Sequence, residues 1–502
     1  MAARIRPLRF QHLEQRALLA TLVVNSPLDL VDPYDDMLTL REAVSAASIL
    51  PGPDTITFAP ELNGSRIVLQ HGAITAVGSS LSIDASSLNE GITIDGGAGD
   101  PDRPIERQSV LFRFDNGNYP DRVVSLTNLT LTGGGTVSEM GGAVVVYGGT
   151  LSMSRCHVLD NYCADGAGGI GVVGTAVLID CTISDNEGGL GGGVYVLGSA
   201  DLRGCTLFGN SAGTGGGAWL QTQTPQNQIR VYNSTITGNS VFSGGSGIAG
   251  SEMMIESCTI AENVGQLTSA GVESLGGNVV IRNSIVAGNL AQASVGAILS
   301  NLQVDPNQLI LAYSFIGWTQ DAGLGPLGDY GGPTQTMPLF SYSPAINAGD
   351  PAALAGVGGQ SLFDQRGAPF GRVSGGRLDM GAFEVQAATA DFNSDQSVDG
   401  HDFLLWQRGL GTPAPQGART DGDADGDLDV DHHDLAVWMA QFGQPALLPS
   451  AVSSPPVQSA RAVHDGAVKD AVLTVGDFTT LFGGDGSLGG RYRTPSARAS
   501  FS

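Results

Sequence analysis

Two twelve-residue stretches near the C-terminal end place oxygen-bearing side chains at a spacing that suits one kind of chemistry. The first runs from Asp391 to Asp402 and the second from Asp423 to Asp434. In the first, Asp391, Asn393, Asp395, Asp399 and Asp402 stand at positions 1, 3, 5, 9 and 12, with the Ser397 backbone carbonyl at position 7. In the second, Asp423, Asp425, Asp427, Asp431 and Asp434 take the same positions, and Asp429 supplies position 7. Ca2+ takes six to eight hard oxygens, and at this spacing a single loop wraps them around one ion. The segment 387–445 carries eleven Asp and two Arg, so 11 − 2 = 9 negative charges of the net −25 lie here. Without a cation those charges repel one another. A solvated acidic linker is the bland alternative, but a linker has no need to repeat a register.

Each loop needs a regular element to hold it. Phe403-Leu404-Leu405-Trp406-Gln407-Arg408 and Leu435-Ala436-Val437-Trp438-Met439-Ala440 read as helices, and each Trp falls fifteen residues after the first ligand. No helix is expected ahead of either loop, so the unit is half of a Ca2+-binding hand, used twice. Position 6 holds Gln396 and Leu428 where a glycine eases the sharp turn, so reduced affinity is expected. This duplicated loop–helix pattern resembles a type I dockerin. The resemblance implies two Ca2+ ions, Ca2+-dependent folding and attachment to a cohesin-type scaffold protein in polysaccharide-degrading or looser cell-surface assemblies. It also implies partner selection at positions 10 and 11, here Gly400-His401 and His432-His433.

The longer part of the chain is organised by a returning phrase. Cys156-His157-Val158-Leu159-Asp160-Asn161, Cys181-Thr182-Ile183-Ser184-Asp185-Asn186 and Ser234-Thr235-Ile236-Thr237-Gly238-Asn239 are three copies. Anchors at Leu129, Cys156, Cys181, Cys205, Ser234, Cys258 and Ser284 give steps of 27, 25, 24, 29, 24 and 26 residues. A second phrase, as in Gly191-Gly192-Gly193-Val194-Tyr195-Val196, falls between anchors. Alternating runs of Val, Ile, Leu and Thr broken by Gly, Asn and Ser read as short strands, and a fixed period makes them a solenoid. A β-propeller blade needs about 40–45 residues, which these steps do not reach. The fold class expected is all-β: a right-handed parallel β-helix with an N-terminal cap, followed by the small α-helical Ca2+-binding domain. The chain is similar to that β-helix family.

Composition sets outer limits. Seventy-three glycines suit a fold with many tight turns. A net charge of −25 excludes a basic nucleic-acid footprint. No apolar run is long enough for a membrane span. Four of the five cysteines, Cys156, Cys181, Cys205 and Cys258, share the anchor position. Adjacent coils would bring their Cα atoms within disulfide range, and the blander reading is a ladder of small buried side chains.

The domain limits expected are 1–22 for an export or surface motif, 23–52 for the cap, 53–345 for the column, 346–386 for its closing segment, 387–445 for the Ca2+-binding domain and 446–502 for a disordered tail. Arg4, Arg6 and Arg9 precede Ala17-Leu18-Leu19-Ala20-Thr21-Leu22-Val23-Val24, a short apolar core for a signal peptide. The stretch around Leu13-Glu14-Gln15-Arg16 resembles a Leu-Glu-Pro-Arg-x-Leu-Leu motif of bacterial extracellular proteins, with Gln15 in place of proline. It implies an extracellular or cell-surface location. Leu38 to Ala47 reads as an amphipathic helix and resembles the segment that opens many such β-helix proteins. Tyr330-Gly331-Gly332-Pro333, Ser343-Pro344-Ala345-Ile346-Asn347, Asp364-Gln365-Arg366-Gly367 and Asp379-Met380-Gly381-Ala382-Phe383-Glu384 resemble, in that order, the C-terminal part of surface β-helix proteins of the "choice-of-anchor" group. Arg366 with Asp379 or Glu384 is expected to tie the last coil.

No catalytic residue is assigned on the column. Asp160, Asp185 and Glu262 align, but Gly209, Gly238 and Gly288 fill the same slot, which is what a left-handed turn selects. Arg155, Arg203, Arg230 and Arg282 are the basic residues that could line one face and meet an acidic glycan. Two functions stay open. One is a glycan-binding or adhesive surface attached through the Ca2+-dependent domain. The other is a polysaccharide lyase or O-glycosyl hydrolase delivered by it, with a polysaccharide as the partner in either case.

Overall fold

The computed structural model describes residues 21–443 apart from 33, 50–51, 79, 98–108, 118–120, 267–268, 294–295, 318–320, 358–359, 387, 394, 396, 415 and 427. Residues 1–20 of the expected export motif (1–22), the tail at 446–502 and the expected ligand Asp427 lie outside the described residues.

Each copy of the repeat folds into one coil, and coils stack as a parallel β-helix. From Cys156 onward the phrase after each anchor forms a three-residue strand, such as His157–Leu159, Thr182–Ser184 and Thr206–Phe208. These strands stack in register into a narrow ten-stranded sheet, in which Val158, Ile183, Leu207, Ile236 and Ile260 follow one another inward. Longer strands such as Ile170–Ile179 and Val194–Arg203 form a broad sheet of fifteen, and two- to four-residue strands form a third sheet of eight. All strand pairs among the described residues of these sheets are parallel except Leu290–Ala293 with Gly296–Leu299.

Two left-handed corners bound each narrow strand. One is the residue before the anchor, as at Arg155 (φ 49°) and Asp180 (φ 52°); the other precedes the recurring asparagine, as at Asp160 and Asp185 (both φ 54°), Gly209 (φ 66°) and Glu262 (φ 58°). The acid-or-glycine slot is therefore a turn, as its composition suggests. The asparagine beside it is not part of the left-handed turn. Asn161, Asn186, Asn210, Asn239, Asn263 and Asn289 are buried, and each amide Nδ2 donates to the next Oδ1 at 2.8–2.9 Å, ending on Asn301. Each Nδ2 also donates to a backbone carbonyl of a strand, for example Asn210 to Ile183 O at 2.9 Å. The buried side-chain amides of this ladder are thus satisfied along its length. The triple-glycine phrase has a separate cause: a Cβ on Gly192 or Gly217 would meet the next coil's carbonyl at 2.4 or 2.5 Å.

The cysteines are free and buried. Cys156, Cys205 and Cys258 point their thiols at backbone carbonyls 3.3 Å away, and burial raises the pKa of Cys156, Cys181 and Cys258. The small-side-chain reading holds.

At the N-terminal end a helix packs onto the core of the column. Thr39 caps helix α1 (Leu40–Ala47) through a capping box with Glu42, and Leu40, Ala43, Val44 and Ala47 are buried. Thr21–Val24 pairs in register with Thr55–Phe58 as the first strand. The end of the apolar stretch expected as a signal core therefore belongs to the column, because its alternation fits a rung.

The stack was expected to run to residue 345, with the closing segment after it. Among the described residues the last rung is Phe315–Gly317, well short of residue 345. The chain then runs back along the outside of the narrow sheet. Thr334 Oγ1 donates to Gly204 O (2.8 Å), Gln365 Nε2 to Thr206 Oγ1 (2.8 Å), Thr235 Oγ1 to Gln365 Oε1 (2.6 Å) and the Ala382 amide to Thr259 Oγ1 (3.0 Å). The row Thr206, Thr235 and Thr259 is buried by this cover, whereas His157 in the same row is exposed. Arg366 is tied down, but by Asp364 at 2.6 Å rather than by Asp379 or the Glu384 side chain. Its guanidinium lies 3.8 and 3.7 Å from the centroids of the Phe370 and Phe383 rings, and it donates to Glu384 O (2.7 Å). No described helix is long and apolar enough to cross a membrane.

Candidate metal centre

The segment after the column folds as two matching loop–helix units. Helix α2 (Gly400–Gly409) comes after the first loop and α3 (His432–Gln441) after the second. Asp399 and Asp431 are the N-caps, each accepting from the amide two residues on, and Asp402 and Asp434 return the bond to the cap backbone. That box is the S/T-x-x-E pattern written with aspartates, so it was readable in Asp399-x-x-Asp402 and Asp431-x-x-Asp434. The residue expected as the ligand at position 12 is therefore also a helix-start residue. Its carboxylate reaches back into its loop: Asp402 Oδ1 accepts from Phe392 N at 2.7 Å, and Asp434 Oδ1 from Ala424 N at 2.7 Å.

The second loop brings its acids together. One carboxylate oxygen each from Asp423, Asp425 and Asp434 lies within 4.8 Å of the others, and so do oxygens of Asp429, Asp431 and Asp434. Burial, with the charges of Asp434 and Asp425 beside it, pushes the Asp423 carboxyl up to about 7. Asp423 also accepts from Gly426 N (2.7 Å) and Leu428 N (3.1 Å), which curls the chain around it. Leu428 takes φ 71°, so the left-handed turn that a glycine would ease at position 6 is made here by a leucine. In the first loop Asp391 Oδ1 accepts from Asp395 N (3.1 Å), Asn393 Oδ1 from Asp395 N (2.9 Å) and Asp395 Oδ1 from Ser397 N (3.0 Å). Among the described residues no three carboxylates of this loop come as close as those of the second, and Asn393 Nδ2 donates to Asp395 Oδ2 at 2.9 Å.

The donors are hard oxygens from carboxylates, one amide and backbone carbonyls, and two of them in each loop are buried: Asp391 and Asp402, Asp423 and Asp434. A buried, crowded, all-oxygen set suits Ca2+ and does not suit a thiophilic ion. The histidines stand outside it. His401 and His433 are exposed beside the N-caps, 3.4 Å from Asp399 and 3.1 Å from Asp431, and His432 lies on the first turn of α3.

The two units are locked by a device that sequence reading missed. Trp406 Nε1 donates to Asp431 O (2.8 Å), and Trp438 Nε1 donates to Asp399 O (3.0 Å). The matching offset of the two tryptophans was its only signal. Phe403 packs against both rings, at 5.5 and 5.0 Å between centroids, over a core of Ala390, Phe392, Val398, Ala424 and Val430.

On the column, the basic residues do not make one row. Arg203 and Arg282 share a row, with Tyr232 and Glu256 between them, and Arg230 sits two residues earlier opposite Asp201. Arg155 is a corner residue, and Arg203 is paired with Asp201. An unforeseen cluster sits on the outer face of the broad sheet: Arg113 pairs with Glu139 and lies over the Tyr147 ring, whose hydroxyl donates to Glu139 at 2.9 Å. Burial and the Glu139 carboxylate push the Tyr147 phenol up to about 12, so it stays protonated and anchors the Glu139 loop.

No family model matches the chain, and no curated protein matches it. Among solved structures, the A-module of the mannuronan C-5 epimerase AlgE6 of Azotobacter vinelandii is similar at 13% identity with a TM-score of 0.28, over 60% of this chain and 92% of that one. A likeness this loose does not bear on chemistry.

Proposed function

We propose that the protein is a secreted or cell-surface β-helix that displays a glycan-binding or adhesive surface and attaches through a Ca2+-dependent, dockerin-like domain to a cohesin-type scaffold. The observation that carries this reading is the duplicated acidic loop–helix unit, with the second loop's carboxylates gathered and the tryptophans crossed over. Ca2+ would neutralise the crowded carboxylates. Asp391, Asn393, Asp395, Asp399 and Asp402 with the Ser397 carbonyl would hold one ion. Asp423, Asp425, Asp427, Asp431 and Asp434 with the Asp429 carbonyl would hold the other. The loops in turn set the start of α2 and α3, and so present Gly400, His401, His432 and His433 to a partner.

The display role is preferred over catalysis for two reasons. The outward acids Asp160, Asp185 and Glu262 occupy left-handed corners, where the backbone accounts for them. The outer face of the narrow sheet is covered by the closing segment from the Thr206 rung onward.

The test has two arms. The full chain should capture cohesin-type modules in the presence of Ca2+ and release them on chelation, and a His401→Ala/His432→Ala/His433→Ala variant should bind more weakly. Capture that persists in chelator would refute Ca2+-dependent attachment. In the other arm, the chain is incubated with a polysaccharide panel and assayed for binding and for new reducing or unsaturated ends. Turnover that disappears in Asp160→Asn or Asp185→Asn would establish the lyase or hydrolase reading instead.

A further inference from the structure

The longest of the repeat's steps, 29 residues from Cys205 to Ser234, falls where the outer face of the broad sheet carries a stacked aromatic pair. Tyr195 and Trp219 occupy neighbouring rungs in register, and their rings lie parallel within 5° at 4.9 Å between centroids. Their strands alternate, so Val194, Val196, Ala218 and Leu220 face the interior and both rings face outward. Both rings stay partly exposed. Trp219 keeps the face turned away from Tyr195, and on that side the row supplies only Ala249.

The extra length of this coil forms a loop, Thr222 to Gln228, between Ala218–Gln221 and Ile229–Tyr232. The loop is tied to the coils on either side. Asn227 Nδ2 donates to Ser199 Oγ (3.2 Å) and Thr222 N to Ser251 Oγ (3.0 Å). Asn227 Oδ1 accepts from the backbone amides of Gln223 (3.1 Å) and Thr224 (2.9 Å), which fixes the curl of the loop. Insertions in a stacked repeat collect as loops on one face, often the face that binds.

The chemistry of this coil is neutral. Residues 204–229 contain no Asp, Glu, Lys, Arg or His, in a chain with 49 acids and 24 bases. Gln223 and Gln226 are exposed, and each glutamine amide carries an acceptor and two donor hydrogens. Of the arginines on this face, Arg203 is paired with Asp201 and Arg230 lies opposite the same acid.

We propose that the aromatic pair and its loop are a binding site for an uncharged pyranose polysaccharide; this rests on the display reading above and gives it a place and a ligand class. A pyranose ring carries C–H groups on its faces and hydroxyls around its rim. The electron-rich face of Trp219 takes the C–H groups, and Tyr195 backs the indole and fixes its angle. Gln221, Gln223 and Gln226 meet the hydroxyls without a charge to desolvate. A uronic-acid polymer would meet no unpaired cation in this coil and a chain of net charge −25.

The test is calorimetry of the full chain, with Ca2+ present, against glucomannan, mixed-linkage β-glucan and polygalacturonate. At least one of the two neutral polymers should bind, and polygalacturonate should not. Trp219→Ala should weaken binding roughly tenfold or more, and Trp219→Phe, which keeps an aromatic face, should weaken it less. Gln223→Ala/Gln226→Ala removes only exposed loop side chains and should weaken binding roughly threefold or more. Tyr342→Ala, on the outward pair with Phe340, should leave it unchanged. Neutral-polymer binding that survives the Trp219→Ala and the loop variants would overturn the site and leave the display role standing. Binding of polygalacturonate alone would overturn the ligand class. No binding to any of the three would overturn the proposal, and the display role falls with it only if the wider polysaccharide panel is negative too.

Discussion

Trp406 and Trp438 each donate the indole N–H to the backbone carbonyl of the N-cap aspartate in the other's loop, at 2.8 Å to Asp431 O and 3.0 Å to Asp399 O. Each helix therefore fixes the loop of the other unit. The carbonyls it holds belong to position-9 residues, which are among the expected ligands.

That crossing predicts coupling between the sites. Trp438→Phe keeps most of the ring contact and removes the donor to Asp399. A lost bond of this sort costs about 0.5–1.5 kcal/mol, so the first loop's Ca2+ affinity should fall by roughly three- to tenfold. The second loop, which belongs to the same unit as the substituted helix, should change less. Terbium luminescence or calorimetry on the full chain distinguishes the two. An equal loss at both sites, or a loss confined to the second, would contradict the crossing.

Much of this was legible in the sequence. The period gave the rungs because every inward row, such as Val158, Ile183 and Leu207, must match the coil below it. The loop–helix units were legible because the same spacing of aspartates recurs ahead of each helix. The asparagine ladder was not, because Asn suits a turn as well as a buried stack, and only the position of the left-handed residue one step earlier separates the two. The course of the closing segment was also hidden. It makes few strands, and its bonds to Thr206, Thr235 and Thr259 span more than a hundred residues with no period to announce them. Arg366 finding Asp364, two residues away, is local chemistry that a search for longer-range partners passed over.

Ile183 faces the interior between Val158 and Leu207 and is fully buried. Ile183→Asp should therefore unfold neighbouring coils, at a cost of at least about 3 kcal/mol for an unpaired charge in an apolar stack. A thermal melt followed by circular dichroism should drop by many degrees. An unchanged melt would rule out the inward assignment.

Asn210→Ala should also destabilise the column, for a different reason. It leaves Ile183 O and the Asn186 amide without their side-chain partner, and each orphaned group costs about 1–3 kcal/mol. Asp185→Asn, at an exposed left-handed corner where asparagine is also tolerated, should be nearly neutral. Urea midpoints for the two variants make the comparison, and equal midpoints would contradict the ladder's role.

The closing segment should weaken as pH rises. Burial raises the carboxyl of Asp379 to about 6 and that of Glu384 to about 8. Both folded values exceed the unfolded ones of 3.8 and 4.5, so the folded state holds protons that the unfolded state has released. The contribution is complete below about pH 4 and is lost as pH rises through 6 and then 8. A melt of the chain at constant Ca2+ should fall by about 5 °C or more between pH 5 and pH 8.5. Glu384→Gln, which does not titrate, should flatten the upper part of that slope. A slope that is the same in both proteins would remove Glu384 from the account.

The most direct measurement of the central claim is a Ca2+ titration of the full chain after chelation, read by calorimetry and by tryptophan emission. The account predicts two bound ions, a change in emission as Trp406 and Trp438 take their crossed positions, and loss of both signals in an Asp391→Ala/Asp423→Ala variant, because binding and ordering of such a domain share one free energy. Identical emission with chelator and with excess Ca2+, and no binding heat, would contradict it.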